Sequence, residues 1–279
     1  MIHSGKTLLA GVMGWPVSHS RSPRLHGFWL ESYRIDGAYV PLAVPPEGLE
    51  RALRALPDLG CRGVNVTLPH KERTLELADE ADDIARRIGA ANTVVVREDK
   101  SLFVTNTDAF GFMEHLESRA PNWPSGRPAV LLGAGGASRA VILALLEAGV
   151  PSIRLANRTA ERAEALAQDF GSAIEPVGWE ERSDALDGAG LLVNSTQLGM
   201  TGQPPLEITL DALAQDAVVY DLVYAPLETQ LLASAGRRHL ATVDGLGMLL
   251  HQARPGFAAW FGREPEVNGA LYAYVAEDL

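Results

Sequence analysis

Cysteine is nearly missing from the chain: of 279 residues, one, Cys61, is a cysteine. That excludes an intramolecular disulfide and any site built on several thiolates, and it fits a reducing, cytoplasmic setting. Seven histidines are scattered without an H-E-x-x-H or Cys/His cluster, so no metal is expected. Positive charge is in deficit: 24 Lys+Arg against 35 Asp+Glu give a net charge of −11. A nucleic-acid or anionic-membrane partner is therefore not expected, although a local basic pocket can still take a small anion. No apolar run approaches the roughly 20 residues that span a bilayer. The apolar stretch Thr7–Gly14, after Lys6, is one strand long and is expected to be a strand rather than a leader. There is no G-x-S-x-G elbow, no internal repeat and no low-complexity tract.

What is present is an ordinary globular composition, 47% hydrophobic and 21% charged, in a chain long enough for about two domains. Strand-like and helix-like segments alternate almost throughout, which predicts an α/β fold with parallel sheet. Leu8–Met13 reads as a strand, followed by a helix with Ser22 as N-cap and Pro23 in its first turn. A strand over 37–43 and a helix from about Pro46 come next, with Leu49, Leu53 and Leu56 inward. Arg62–Leu68 is a third strand in which Asn65 and Thr67 share one face, and a helix starts near Lys71. Thr93–Arg97 and Leu102–Thr105 can pair as a hairpin. A Pro-rich break at Pro121–Pro128 precedes a second α/β run, which extends to about Val243. Leu246–Ala259 has a helical pattern, and periodicity does not say which run it packs on.

The second run opens on a strand, Ala129–Leu132, then Gly133-Ala134-Gly135-Gly136-Ala137-Ser138, then a helical stretch. This is G-x-G-x-x-S between strand and helix, the setting in which backbone N–H groups and a helix dipole receive a dinucleotide pyrophosphate. The next strand ends in Asn157-Arg158-Thr159, with no carboxylate to take the ribose hydroxyls. Arg158, with Arg162 nearby, can instead pair with a 2′-phosphate, so NADP is expected over NAD. A site oxidising an alcohol also needs a proton acceptor. Taken alone, Lys71 reads as a solvated lysine at a helix start and Asp108 as an N-cap. Taken together they make a Lys–Asp pair able to shuttle one proton. The hydroxyl-dense segment Ser18-His19-Ser20-Arg21-Ser22 can hold a carboxylate or polyol, or simply cap a helix.

In combination these segments resemble the shikimate dehydrogenase family. The motifs run in family order from Gly14-Trp-Pro16 through Ser20-Arg-Ser22-Pro23, Asn65-Val-Thr67-Leu-Pro69-His-Lys71, Gly89-Ala-Ala-Asn92-Thr93 and Asn106-Thr-Asp108. They continue through Gly133–Ala137, Asn157-Arg158-Thr159, Asn194-Ser-Thr196, Tyr220-Asp221-Leu-Val-Tyr224 and Asp244-Gly245-Leu-Gly247-Met248 to Gln252. The resemblance implies an N-terminal α/β substrate domain (1–107) completed by C-terminal helices (245–279), with an NADP-binding Rossmann domain (108–244) between. It implies reversible NADPH-dependent reduction of 3-dehydroshikimate to shikimate, with Lys71 and Asp108 as the catalytic pair. Ser20, Ser22, Asn65, Thr67, Asn92, Tyr224 and Gln252 would contact the substrate alongside that pair. Gly133–Ser138, Asn157, Arg158, Thr159, Arg162 and Thr196 would contact NADP. Leu222, Gly245 and Met248 would line its nicotinamide end, and Asp83 would be a distal cofactor contact. It also implies a monomer or homodimer. A quinate/shikimate enzyme of broader specificity and a catalytically silent NADP-binding regulator are the alternatives. Departures are small: Gly27 follows His26 where the family often has Asn, and Gln197 occupies a variable position.

Overall fold

The computed structural model describes residues 3–279, which fold as two compact units. The first comprises residues up to Thr107 together with Gln252–Glu277; the second comprises Asp108–His251 with Asp278–Leu279.

The first unit runs β1 (Leu8–Gly14), α1 (Ser22–Ser32), β2 (Gly37–Ala43), α2 (Leu49–Ala55), β3 (Cys61–Val66) and α3 (Lys71–Leu77). It continues with β4 (Glu80–Ala81), α4 (Asp83–Ile88), β5 (Thr93–Val96) and β6 (Leu102–Thr105). The sheet order is β2-β1-β3-β5-β6-β4. The expected hairpin is present, with β5 antiparallel to both β3 and β6; the other pairings are parallel. Met13, Leu49, Leu53, Leu56, Val64, Val66, Val94 and Val104 form one buried cluster. At about 1.5–3 kcal/mol for each large side chain taken from water, such a cluster holds the sheet to its helices. Two local expectations change. Ser22 is the first residue of α1 rather than its cap, because Arg21 already has helical backbone angles; Pro23 does stand in the first turn. β3 stops at Val66, so Thr67 stands in the turn beyond it, although its N–H still bonds the Met13 carbonyl at 2.9 Å.

The second unit contains α5 (Asp108–Arg119), β7 (Ala129–Leu132), α6 (Gly136–Glu147), β8 (Ile153–Ala156), α7 (Ala160–Phe170) and β9 (Ile174–Val177). β10 (Leu191–Asn194), β11 (Val218–Asp221), α8 (Gln230–Arg237) and β12 (Ala241–Val243) follow. All its strands are parallel, in the order β9-β8-β7-β10-β11-β12. Numbered within the unit this is 3-2-1-4-5-6, the doubly wound order, with its switch point between β7 and β10. Every residue of β7, β10 and β11 is buried. A parallel sheet covered on both faces needs apolar residues on both, so these strands read as continuous hydrophobic runs. The Pro-rich break at 121–128 is a loop inside this unit, because α5, which precedes it, packs on α6.

α9 (Gly245–Phe261) runs across the division, which falls between His251 and Gln252. Its second half belongs to the first unit, which answers where the last helical segment packs. There Trp260 Nε1 donates to the Val94 carbonyl at 3.0 Å and Phe257 meets Trp29 edge-on at 5.2 Å. α10 (Gly269–Ala276) lies on α1, with Arg24 Nε donating to the Tyr274 carbonyl at 2.7 Å. Among the described residues, no helix is long and apolar enough to cross a membrane.

Candidate active site

In the first unit the antiparallel β5 decides which residues meet. Its first residue, Thr93, pairs with Asn65 near the C-terminal end of β3 and with Thr105 at the end of β6. The start of one strand thus joins the ends of two others at a single sheet edge. Asn65 Nδ2 donates to Thr93 Oγ1 at 3.1 Å, and Thr93 Oγ1 donates to Asn92 Oδ1 at 2.9 Å. Asn92 Oδ1 also accepts the Thr107 N–H at 2.9 Å, while Asn92 Nδ2 donates to Gln252 Oε1 at 3.2 Å. On the other side Tyr39 Oη donates to Asn65 Oδ1 at 2.7 Å, and the Ser22 hydroxyl bonds the same phenol oxygen. Ser22, Tyr39, Asn65, Asn92, Thr93, Thr107 and Gln252 are all buried. A buried polar chain of this kind is rigid when satisfied and costs about 1–3 kcal/mol at each group left unpaired.

The serine segment and the Lys71 turn reach the same edge. β1 and β3 are parallel neighbours, and beyond them the Trp15 N–H bonds the Leu68 carbonyl at 3.1 Å. Ser20 Oγ accepts the Ser22 N–H at 3.3 Å. The Thr67 carbonyl accepts the His70 N–H at 3.0 Å, closing the turn that leads into Lys71, the half-buried first residue of α3. His70 is buried, and its Nε2 lies 2.7 Å from the Val44 carbonyl, which pins that turn. The Lys71 carbonyl accepts the Ala91 N–H at 2.9 Å, so the lysine is tied to the residue before Asn92. Asp83 is exposed at the start of α4, beside Asp82, whose side chain caps that helix.

In the second unit the glycine turn lies at the switch point. Gly133 has φ +102°, and a Cβ there would stand 2.9 Å from Ser195 Oγ, so no larger residue fits. A Cβ on Gly135 or Gly136 would meet nothing within 4 Å. The turn is therefore open on the side from which a pyrophosphate would approach α6, and the residues present fit that group. Ser138, the departure from a third glycine, has a structural use. Its Oγ accepts the Gly135 N–H at 3.0 Å and lies 2.8 Å from Ser195 Oγ, which donates to the Leu132 carbonyl at 2.7 Å. Asn157 Oδ1 accepts the Ala134 N–H at 3.2 Å, and Asn157 Nδ2 donates to the Thr159 carbonyl at 2.8 Å. Arg158 and Arg162 are exposed beyond the end of β8. Arg139, by contrast, is already committed to Asp169 at 2.7 Å.

A second buried network holds the ends of β10 and β11. Asn194 Nδ2 donates to Asp221 Oδ1 at 2.8 Å, and Thr229 Oγ1 donates to Asp221 Oδ2 at 2.6 Å. Asn194 Oδ1 accepts the Thr196 hydroxyl at 2.7 Å. Burial pushes the Asp221 carboxyl above the usual range, opposed by these hydrogen bonds. Through this network Thr196 takes a fixed place beside Gly133, while the Leu222 N–H bonds the Asn194 carbonyl at 2.9 Å. Gly245 and Met248 lie in the first turn of α9; Tyr224 is half-buried after β11, and buried Asp108 opens α5. Sequence reasoning missed Tyr39, Thr93, Thr107, His70 and Asp221 as working parts. The signal for Thr93, Thr107 and Asp221 was a polar residue at or just beyond a strand end; Tyr39 lies inside β2 and His70 directly before α3, where no such pattern marks them. Among the described residues, no group of three or more His, Cys, Asp or Glu is placed to hold a metal ion.

Comparison with known proteins agrees with this geometry. A family model described as the shikimate dehydrogenase substrate binding domain matches residues 12–94, and one described as shikimate / quinate 5-dehydrogenase matches residues 116–201. A shikimate dehydrogenase (NADP(+)) of Paramagnetospirillum magneticum is 60% identical over 273 residues, covering 98% of this chain and 99% of its own. The crystal structure of a shikimate 5-dehydrogenase from Thermus thermophilus, in complex with NADP(H) and shikimate, is 38% identical. It superposes with a TM-score of 0.86 over 98% of this chain and 100% of that one. A quinate dehydrogenase from Corynebacterium glutamicum, in complex with NAD, is 32% identical with a TM-score of 0.90, over 96% and 98% of the two chains. The glycine turn at the switch point, the polar edge around Asn92 and these full-length likenesses lead to one conclusion: the chain belongs to the shikimate dehydrogenase family.

Proposed function

We propose that the chain interconverts 3-dehydroshikimate and shikimate using NADP, in a reducing, cytoplasmic compartment. The observation that carries this reading is the buried chain Tyr39–Asn65–Thr93–Asn92–Gln252, which is tied next to Asn92 to the Lys71 backbone and presents directional amide groups suited to a small polyhydroxy acid. Ser20 and Ser22 take the substrate carboxylate. Thr67, Asn65, Asn92, Tyr224 and Gln252 take its carboxylate and hydroxyls. The first unit is then the substrate unit and the second the cofactor unit.

The glycine turn Gly133–Ser138 receives the pyrophosphate on backbone N–H groups. Asn157, Thr159 and Thr196 contact the dinucleotide around it. Arg158, helped by Arg162, pairs with the 2′-phosphate. Leu222, Gly245 and Met248 line the nicotinamide end, and Asp83 is a distal contact. NADPH, when held by these residues, would supply the hydride for the C3 carbonyl carbon, and NADP would accept it in the reverse direction. The Lys71 ammonium gives a proton to the carbonyl oxygen as it becomes the alcohol, and the neutral amine recovers one in reverse. Asp108, the other member of the pair, assists Lys71 in moving that proton.

The test is NADPH formation by the purified protein with shikimate, beside parallel reactions with quinate and with NAD. Turnover confined to shikimate with NADP supports the reading. Comparable turnover with quinate or NAD moves the protein to the broader quinate/shikimate class. Tight NADP binding without turnover of either acid makes it a silent regulator.

A further inference from the structure

The second unit buries an imidazole that the proposed chemistry does not use. His115, on α5, is almost fully buried, and its Nδ1 lies 3.0 Å from Tyr220 Oη. Tyr220, on β11, is itself fully buried and is stacked on Phe112 at 4.8 Å and 9°. The Tyr220 hydroxyl therefore fixes the plane of the His115 ring, whichever of the two donates.

The opposite edge of that ring rests on α9. A Cβ placed on Gly247 would fall on the imidazole itself, with Nε2, Cδ2 and Cε1 its nearest atoms. Two residues earlier, a Cβ on Gly245 would fall on the backbone of Leu222 and Val223. The first turn of α9 is thus wedged, through two glycines, between the His115 ring and the chain leaving β11. Asp244 Oδ1 caps the same turn, accepting the N–H groups of Leu246 at 2.9 Å and Gly247 at 3.3 Å. Close packing transmits such a contact without slack.

We propose that His115, held by Tyr220, is a positioning residue that sets the first turn of α9 and with it the nicotinamide-end residues Gly245 and Met248. The ring needs no charge for this. Burial lowers its pKa to about 4, an effect that nearby Asp244 only partly offsets, so it is neutral at pH 7. The inference rests on the reading of Leu222, Gly245 and Met248 as cofactor contacts.

The experiment is a compensation series on the full chain: Gly247→Ala, His115→Ala, the double variant and Tyr220→Phe. NADP affinity is read by quenching of intrinsic fluorescence, and Michaelis constants for NADP and shikimate are measured alongside. Gly247→Ala pushes a methyl into the imidazole and should weaken NADP binding roughly tenfold, with the shikimate constant within about twofold of wild type. Adding His115→Ala vacates the space and should restore most of the lost affinity. Tyr220→Phe frees the ring without changing packing volume and should weaken NADP binding by about two- to fivefold. This variant decides the matter if Gly247→Ala does not fold. A double variant no better than Gly247→Ala, equal shifts in both Michaelis constants, or an unchanged Tyr220→Phe would each overturn the proposal. The fluorescence arm needs no turnover, so a wild-type protein that binds NADP yet fails to oxidise shikimate would refute the catalytic reading while leaving this test intact.

Discussion

The two units build their sites from different materials. In the first, the polar edge consists of side chains bonded to side chains: Tyr39 to Asn65, Asn65 to Thr93, Thr93 to Asn92, Asn92 to Gln252. In the second, the glycine turn offers backbone N–H groups, and side chains such as Asn157, Ser138 and Ser195 act as struts behind it. The difference follows from the ligands proposed for them. A small acid carrying several hydroxyls is told from its relatives by directional donors and acceptors, which amides and hydroxyls supply. A pyrophosphate is met well by a helix start and a row of backbone amides. What such amides cannot do is tell one dinucleotide from another, and in the function proposed above that task is assigned to Arg158 outside the turn.

Four expected outcomes bear on this division. The largest concerns the proton. Lys71→Ala should lower turnover by roughly 10²–10⁴, the usual size of a general acid–base contribution, and leave the shikimate Michaelis constant nearly unchanged. Steady-state kinetics check it, and a large affinity loss at unchanged turnover would make Lys71 a binding residue instead. Next, Arg158→Ala should raise the Michaelis constant for NADP roughly 10- to 150-fold, the range of a charged hydrogen bond. The constants for NAD and for shikimate should stay put, and equal effects on NADP and NAD would remove the 2′-phosphate assignment.

A smaller effect is expected in the first unit. Tyr39→Phe keeps the 3.8 Å stack on His26 but leaves Asn65 Oδ1 without its donor. The shikimate constant should rise roughly fivefold, with the NADP constant unmoved. The smallest effect is on stability against pH. His26 is fully buried, and both ring nitrogens lack a hydrogen-bond partner; Asn65 lies beside the ring outside bonding geometry. Burial lowers its pKa to about 3, as it lowers that of His115 to about 4. The unfolded chain takes up these protons near pH 6.5 and the folded chain resists them. Their contribution is therefore complete above pH 6.5 and is lost as pH falls toward 4 and 3, at about 1.4 kcal/mol per pH unit for each imidazole. Asp221 acts in the opposite sense: its carboxyl is raised by burial, so its contribution is present below 3.8 and fades as pH rises through the folded value. Denaturant midpoints between pH 7 and 5 should fall, and His26→Phe should flatten the slope by one proton.

The same contrast explains what could be read in advance. The glycine turn is local: strand, turn and helix lie within about twenty residues, and each glycine has a reason visible in the sequence. The absence of a carboxylate after β8 was equally legible. The first unit's edge is assembled from residues 22, 39, 65, 92, 107 and 252, and no local pattern joins them. Only the motif resemblance named Asn65, Asn92 and Gln252, and it passed over Tyr39, Thr93 and Thr107, which hold them. The role of β5 was half legible: the expected hairpin already sets it against β6, but its strand pattern does not reveal that it also runs against β3. Ser22 reads as an N-cap by residue type. The helix starts one residue earlier than that reading allows, and its side chain turns inward to Tyr39.

The central claim is that the two sites are built separately, and a double-mutant cycle tests it most directly. Both Michaelis constants would be measured in wild type, Tyr39→Phe, Arg158→Ala and Tyr39→Phe/Arg158→Ala. The account predicts that each single change moves one constant and that the double variant shows both shifts at their single-variant size, with coupling below about 0.5 kcal/mol. Shifts in the double variant that differ from this by tenfold, or single changes that move both constants together, would contradict it.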